Sequence, residues 1–244
     1  MEHIYEGAVV NAGCLLFFPE QVAVDRPNDV LDSLLYIQLA AAKKYPKFVE
    51  FDNWKDTWLA ATLRFGWALK ASAYVSEALP TVDTVWRLAS GALATSVPPQ
   101  ELARIETLVR QACLQPQDYP ALYVLGRHAM HVQIAGPERS IDALVPDSPK
   151  STTAVALQLG HVTADGALNL TQLHFTTRQP LTAGFLFDAL EPGMMCGNVE
   201  VTVYSMRLMD QVYTPFREAF ATALQDRRAA LVLSLEEVSH ESGQ

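Results

Sequence analysis

Apolar positions run in two regimes along this chain. Between residues 28 and 115 they recur at helical spacing; beyond residue 120 they alternate with polar ones at strand spacing. Ahead of both, residues 7–18 (GAVVNAGCLLFF) read as short strands around an Asn-Ala-Gly turn. Asn28 or Asp29 then caps a helix whose inner face holds Leu31, Leu34, Leu35, Gln38 and Ala42. Lys43 and Lys44 lie at its end, where the helix dipole favours positive charge. Residues 53–77 predict one long helix capped by Asp52. Trp54, Trp58, Ala61, Phe65 and Leu69 form one stripe, and Leu59, Leu63, Trp67 and Tyr74 form a second, as in a central helix with neighbours on two sides. A shorter helix capped by Thr81 follows, then another opening at Pro99 with Leu102, Ile105 and Val109 inward.

After Pro116 the period becomes two, which predicts a strand over 120–134. The Pro- and Ser-rich stretch 135–152 reads as a linker. Asp165-Gly166 predicts a two-residue hairpin turn inside 153–176. A strand over 199–208, a helix over 215–228 and a last strand over 229–236 complete the pattern, with residues 238–244 as a solvated tail. The expected fold class is α+β: an N-terminal helical block packed against a mostly antiparallel β-sheet, with a C-terminal β-α-β element. Residues 1–118 form the mainly helical block with its N-terminal strands, and 119–244 the mainly antiparallel β region with one helix. The two are separate domains or one continuous one.

Composition changes this picture in one respect. Half of the 244 residues are hydrophobic and only 18% are charged, against about 25% in ordinary soluble domains. Either the core is unusually large or another chain covers part of the surface. The net charge is −9, and neither half reverses its sign: residues 1–122 hold ten Lys/Arg against fourteen Asp/Glu, residues 123–244 eight against thirteen. That excludes a broad nucleic-acid-binding surface, which needs clustered positive charge. Cys14, Cys113 and Cys196 are widely spaced, so neither a disulfide framework nor a Cys-rich zinc site is expected. No basic segment precedes a long apolar run at the start, so no secretory signal is read. Arg64 and Lys70 interrupt the most apolar stretch, 57–75, at a cost of about 2.5–3.5 kcal/mol each at a bilayer centre. A reducing cytoplasm is the expected compartment for this acidic protein.

Candidate chemistry is sparse. His128 and His131 are three residues apart, which on a strand points them to opposite faces and prevents them from sharing a metal. A two-residue turn at Asp165-Gly166 sets His161 opposite Leu170 and His174 opposite Leu157. They then share a face, but stand roughly 13 Å apart along the ladder, too far for joint ligation. Cys196, between glycines in EPGMMCGN, becomes a nucleophile only if His128, His161 or His174 lowers its pKa, with Asp188 as orienting group. Nucleotide-binding glycine loops, H-E-x-x-H and G-x-S-x-G are all absent. No cofactor and no metal are expected. The leading expectation is a non-catalytic protein–protein interaction or assembly subunit, with a protein partner or a homo-oligomer and with Trp54, Trp58 and Trp67 as interaction residues. One alternative is a membrane-active, pore-forming or toxin-like protein using the Trp-rich helix or the 153–176 hairpin. The other is a cysteine-dependent hydrolase or transferase using Cys196 and a histidine.

Overall fold

The computed structural model describes residues 7–19, 26–115, 119–134 and 151–235. The chain opens as expected with an antiparallel pair, β1 (Gly7–Asn11) and β2 (Cys14–Phe18). Helix α1 (Pro27–Lys44) follows, started by Pro27 in its first turn rather than by a capping side chain.

The long helix expected over 53–77 is two elements, α2 (Phe51–Arg64) and β3 (Trp67–Glu77). Gly66, at φ +99°, breaks the helix between them. Its carbonyl accepts the Met209 N–H at 2.8 Å, and a Cβ there would lie 3.0 Å from the Tyr213 nitrogen. Beyond this break the chain pairs with a neighbouring strand, which supplies the ladder that local periodicity could not reveal.

A short strand, β4 (Asp83–Thr84), leads into α3 (Val85–Leu93). The cap of α3 is Thr84 and not Thr81: its hydroxyl accepts the Arg87 N–H at 3.1 Å. Helix α4 (Pro99–Cys113) is as expected. The strand expected over 120–134 is instead α5 (Pro120–Ala129) followed by β5 (Met130–Ile134). Ala121, Leu125 and Ala129 are buried at a spacing of four, a helical stripe that the alternation concealed. Next come β6 (Ser151–Val162), β7 (Ala167–Thr177), β8 (Ala189–Leu190), β9 (Val199–Leu208), α6 (Asp210–Tyr213), α7 (Arg217–Leu231) and β10 (Val232–Leu235). Most of the expected linker, and the expected tail, lie outside the described residues.

The main sheet runs β10-β1-β2-β6-β7-β9-β3, with β5 pairing the first half of β6. Among the described strands of this sheet only β2 and β6 run parallel; the other pairs are antiparallel. This is the α+β, mostly antiparallel fold that the pattern predicts. The helices pack on both faces of the sheet. Helices α1 and α2 cover one, with a core of Leu16, Phe18, Leu34, Trp54, Trp58, Leu170 and Met206. Helices α3, α4 and α5 cover the other, around Phe17, Trp86, Val109, Leu125, Leu157 and Phe175. Strand β6 is consequently buried at almost every position. Strands from both sides of residue 118 interleave in this one sheet. Helix α7 lies against α1, where Arg217 holds Asp29 by three hydrogen bonds of 2.7–3.1 Å and Arg228 holds Asp32 at 2.5 Å. Among the described residues no helix is long and apolar enough to cross a membrane.

The β6–β7 hairpin corrects the expected register. Gly166, at φ +76°, donates its N–H to Thr163 O at 2.9 Å, and Thr163 pairs with Ala167. The loop is therefore three residues, not two, with Gly166 in the left-handed position that closes it. His161 stands opposite Asn169 and His174 opposite Ala156. A one-residue slip inverts faces, so His161 and His174 lie on opposite sides of the sheet.

Candidate functional site

Cys14, Gln158, Gln172 and Thr202 stand opposite one another across β2, β6, β7 and β9, on the face covered by α2. All four are buried. His174 and Glu200 occupy the neighbouring row. Helix α2 lays aromatic rings over this polar layer. Phe51 stacks on His174 with centroids 3.8 Å apart, and Trp58 tilts over Tyr204 at 5.5 Å. Among the described residues, both amide atoms of Gln172, Gln158 Nε2, His174 Nδ1 and the indole nitrogens of Trp54 and Trp58 make no hydrogen bond to protein. Burial, the main cause, pushes the His174 pKa down to about 4; Lys55 and Lys47 add to that and Asp52 opposes it. The Lys47 ammonium donates to His128 O at 3.0 Å and lies 4.9 Å from the Trp54 ring centre. Burial pulls it down to about 7. The nearby Cys14 thiol is pushed far up by its own burial, which outweighs the attraction of Lys47. It therefore stays protonated, and this layer holds no thiolate nucleophile.

Among the described residues, those singled out in the sequence make no hydrogen bond or ion pair with one another. Cys196 is exposed in the loop before β9, with its Sγ 4.0 Å from Met194 O and its N–H donated to Thr176 O. Asp188 accepts from the Thr182 N–H and hydroxyl, at 2.7 and 3.1 Å, and orients no histidine. His161 faces α4; burial chiefly lowers its pKa, with Arg104 adding and Glu101 opposing. His128 lies in the last turn of α5, not on a strand, and its pKa is lowered by burial first and then by Lys47 and Arg127. His131, on β5, stacks on Phe48 at 5.5 Å. Among the described residues no three His, Cys, Asp or Glu side chains gather as a metal site would require. Trp54, Trp58 and Trp67, expected as interaction residues, are core residues at 1%, 0% and 2% exposure. Their bulk fills the space between α1, α2 and the sheet, and Trp67 Nε1 donates to Ser33 Oγ at 3.1 Å.

The exposed apolar surface lies one element further on. Strand β3 is the last of the sheet, paired to β9 along one side only. Among the described residues nothing pairs its outer edge. Apart from Trp67 and the half-buried Ser76 its eleven residues are exposed, and Tyr74 and Val75 stand 56% and 48% exposed. Natural edges are blunted by brevity, proline, inward charge or bulges. Here the bulge at Leu69–Ala71, carrying Lys70, protects one end, and residues 71–77 carry no such device before Glu77. The sequence held a signal for this strand: Gly66 at the helix end, then Tyr74 and Val75.

No protein-family model matches this chain, and no curated protein matches its sequence. Among solved structures it is similar to a delta-endotoxin, with a TM-score of 0.42 and 7% identity over 86% of this chain and 88% of that one. It is also similar to the Evf virulence factor, with a TM-score of 0.36 and 9% identity over 92% and 85% of the two chains. Likenesses this distant carry no argument about what this chain does.

Chemically, the described residues offer two things. One is an enclosed polar layer beneath α2. The other is the outer edge of β3, which no described strand pairs and beside which Tyr74 and Val75 are exposed, a backbone edge of the kind that takes up a further strand.

Proposed function

We propose that this protein is a non-catalytic interaction subunit that assembles through the outer edge of β3. The observation that supports this reading is the length and exposure of that strand: eleven residues at a sheet edge, with Tyr74 and Val75 in solvent. A partner strand would satisfy its backbone and cover those side chains, which accords with the shortage of surface charge. The three free cysteines fit a reducing compartment such as the cytoplasm. The test compares the native mass of the wild type with that of Val75→Lys in extracts of its source. The wild type is expected in an assembly larger than one chain, and Val75→Lys as a folded monomer. A wild type that stays monomeric overturns the reading.

A further inference from the structure

The charge pattern of β3 names its partner. The strand is basic near its start, at Lys70, and acidic at its end, at Glu77, with only neutral residues between. We infer that the partner is a second copy of this chain, its β3 running antiparallel to the first so that two sheets join edge to edge. This rests on the interaction reading above and specifies its occupant.

Three features of the strand fit a second copy. An antiparallel pair brings each Lys70 end against the other copy's Glu77 end, at both ends of the contact; a parallel pair would set like charges side by side. A two-fold axis normal to the sheet keeps each face on its own side and places residues of the same face opposite one another. With the axis at Ala73, Val75 meets the partner's Ala71, and Tyr74 meets its Ser72. Ala71, Ala73 and Val75 lie on one face and Ser72, Tyr74 and Ser76 on the other, as their pairing with β9 shows. Small residues thus sit beside the large one, and no two bulky side chains collide across the axis. About that axis the paired run free of the bulge is residues 71–75, about 17 Å of ladder at the rise of a strand. The bulge at Lys70 ends that run and turns the strand away, which sets the limit of the contact. The contact is narrow, so the dimer dissociates on dilution.

The test uses the purified full chain in sedimentation across a range of concentrations. The wild type is expected to be dimeric at high concentration. Lys70→Glu and Glu77→Lys each place like charges at both ends and are expected to weaken association about tenfold. The double variant, Lys70→Glu with Glu77→Lys, restores opposite charges and is expected to recover wild-type association, an outcome that mere loss of folding cannot produce. A dimer indifferent to all three variants overturns the inference, because its interface lies elsewhere. A monomer at every concentration also overturns it, and hydrogen exchange then separates the two readings. Unprotected amides on the outer side of β3 leave the edge open to another protein; protected ones show that the chain covers its own edge, and the interaction reading falls as well.

Discussion

At the scale of single residues, burial decides the chemistry. His174 has an ordinary pKa near 6.5 and is held at about 4 inside the fold, mainly by desolvation beneath Phe51. Between those two values the unfolded chain takes a proton that the folded one refuses. Stability therefore falls as pH drops from 6.5 to 4, by roughly 3 kcal/mol if this group acts alone. The urea midpoint should follow that slope, and His174→Leu should flatten it. Lys47 works in the opposite window. Its folded pKa is about 7 against an ordinary 10.5, so the folded ammonium loses its proton first and stability rises with pH above 7. Lys47→Met removes the cost of burying a charge, offset in part by the loss of the bond to His128 O. Urea titration should show it to be about 1–2 kcal/mol more stable at neutral pH. None of this was visible in the sequence, because Lys47 looks like any loop lysine until Trp54 and Cys14 close around it.

At the scale of elements, α2 and β3 show how a local pattern is overruled. Two apolar stripes over 53–77 fit a helix, yet the same residues from Trp67 onward also fit a strand, and pairing with β9 settles the matter. Gly66 marks the change. Gly66→Ala combines a left-handed backbone with a tight approach to Tyr213, and thermal unfolding should show a loss of about 2–3 kcal/mol. The clamp between α1 and α7 is equally specific. Asp29 is nearly buried, and Arg217→Ala strips it of a paired cation. The expected cost is about 3 kcal/mol, read in the same assay, with α7 the first segment to exchange amide hydrogens. The end of α1 and the start of α4 were legible because their signals are local, Lys43 and Lys44 in the last turn of one and Pro99 in the first turn of the other; the side-chain cap expected for α1 at Asn28 or Asp29 is not formed, because Pro27 opens that helix. Helix α5 was not, since its stripe of Ala121, Leu125 and Ala129 is made of small residues beneath a louder alternation.

At the scale of the whole molecule, residues before and after 118 build one sheet. Strand β1 lies between β10 and β2, and β2 pairs with β6. Neither half contains a complete layer, so residues 1–118 or 119–244 produced alone should show no cooperative unfolding in urea, whereas the full chain should. Helices on both faces also explain why β7 carries apolar residues on alternate sides, Leu168 and Leu170 facing α1 and α2, Leu173 and Phe175 facing the other helices. Each face of the sheet has its own core. The candidate edge was hidden for a related reason: whether a strand is inner or outer depends on which neighbours reach it, and sequence order does not state that.

By itself, the sequence determined the α+β class, the antiparallel hairpin at Asp165-Gly166, the lack of a catalytic motif and the acidic, cysteine-poor character. Each of these follows from residue type and short spacing, which act within a few positions of the chain. Only the tertiary structure decided that the tryptophans lie in the core, that His161 and His174 face opposite ways, and that β3 is the last described strand of the sheet. Those depend on register and on partners far away in the chain, where a single extra loop residue inverts a face and one missing neighbour exposes a strand.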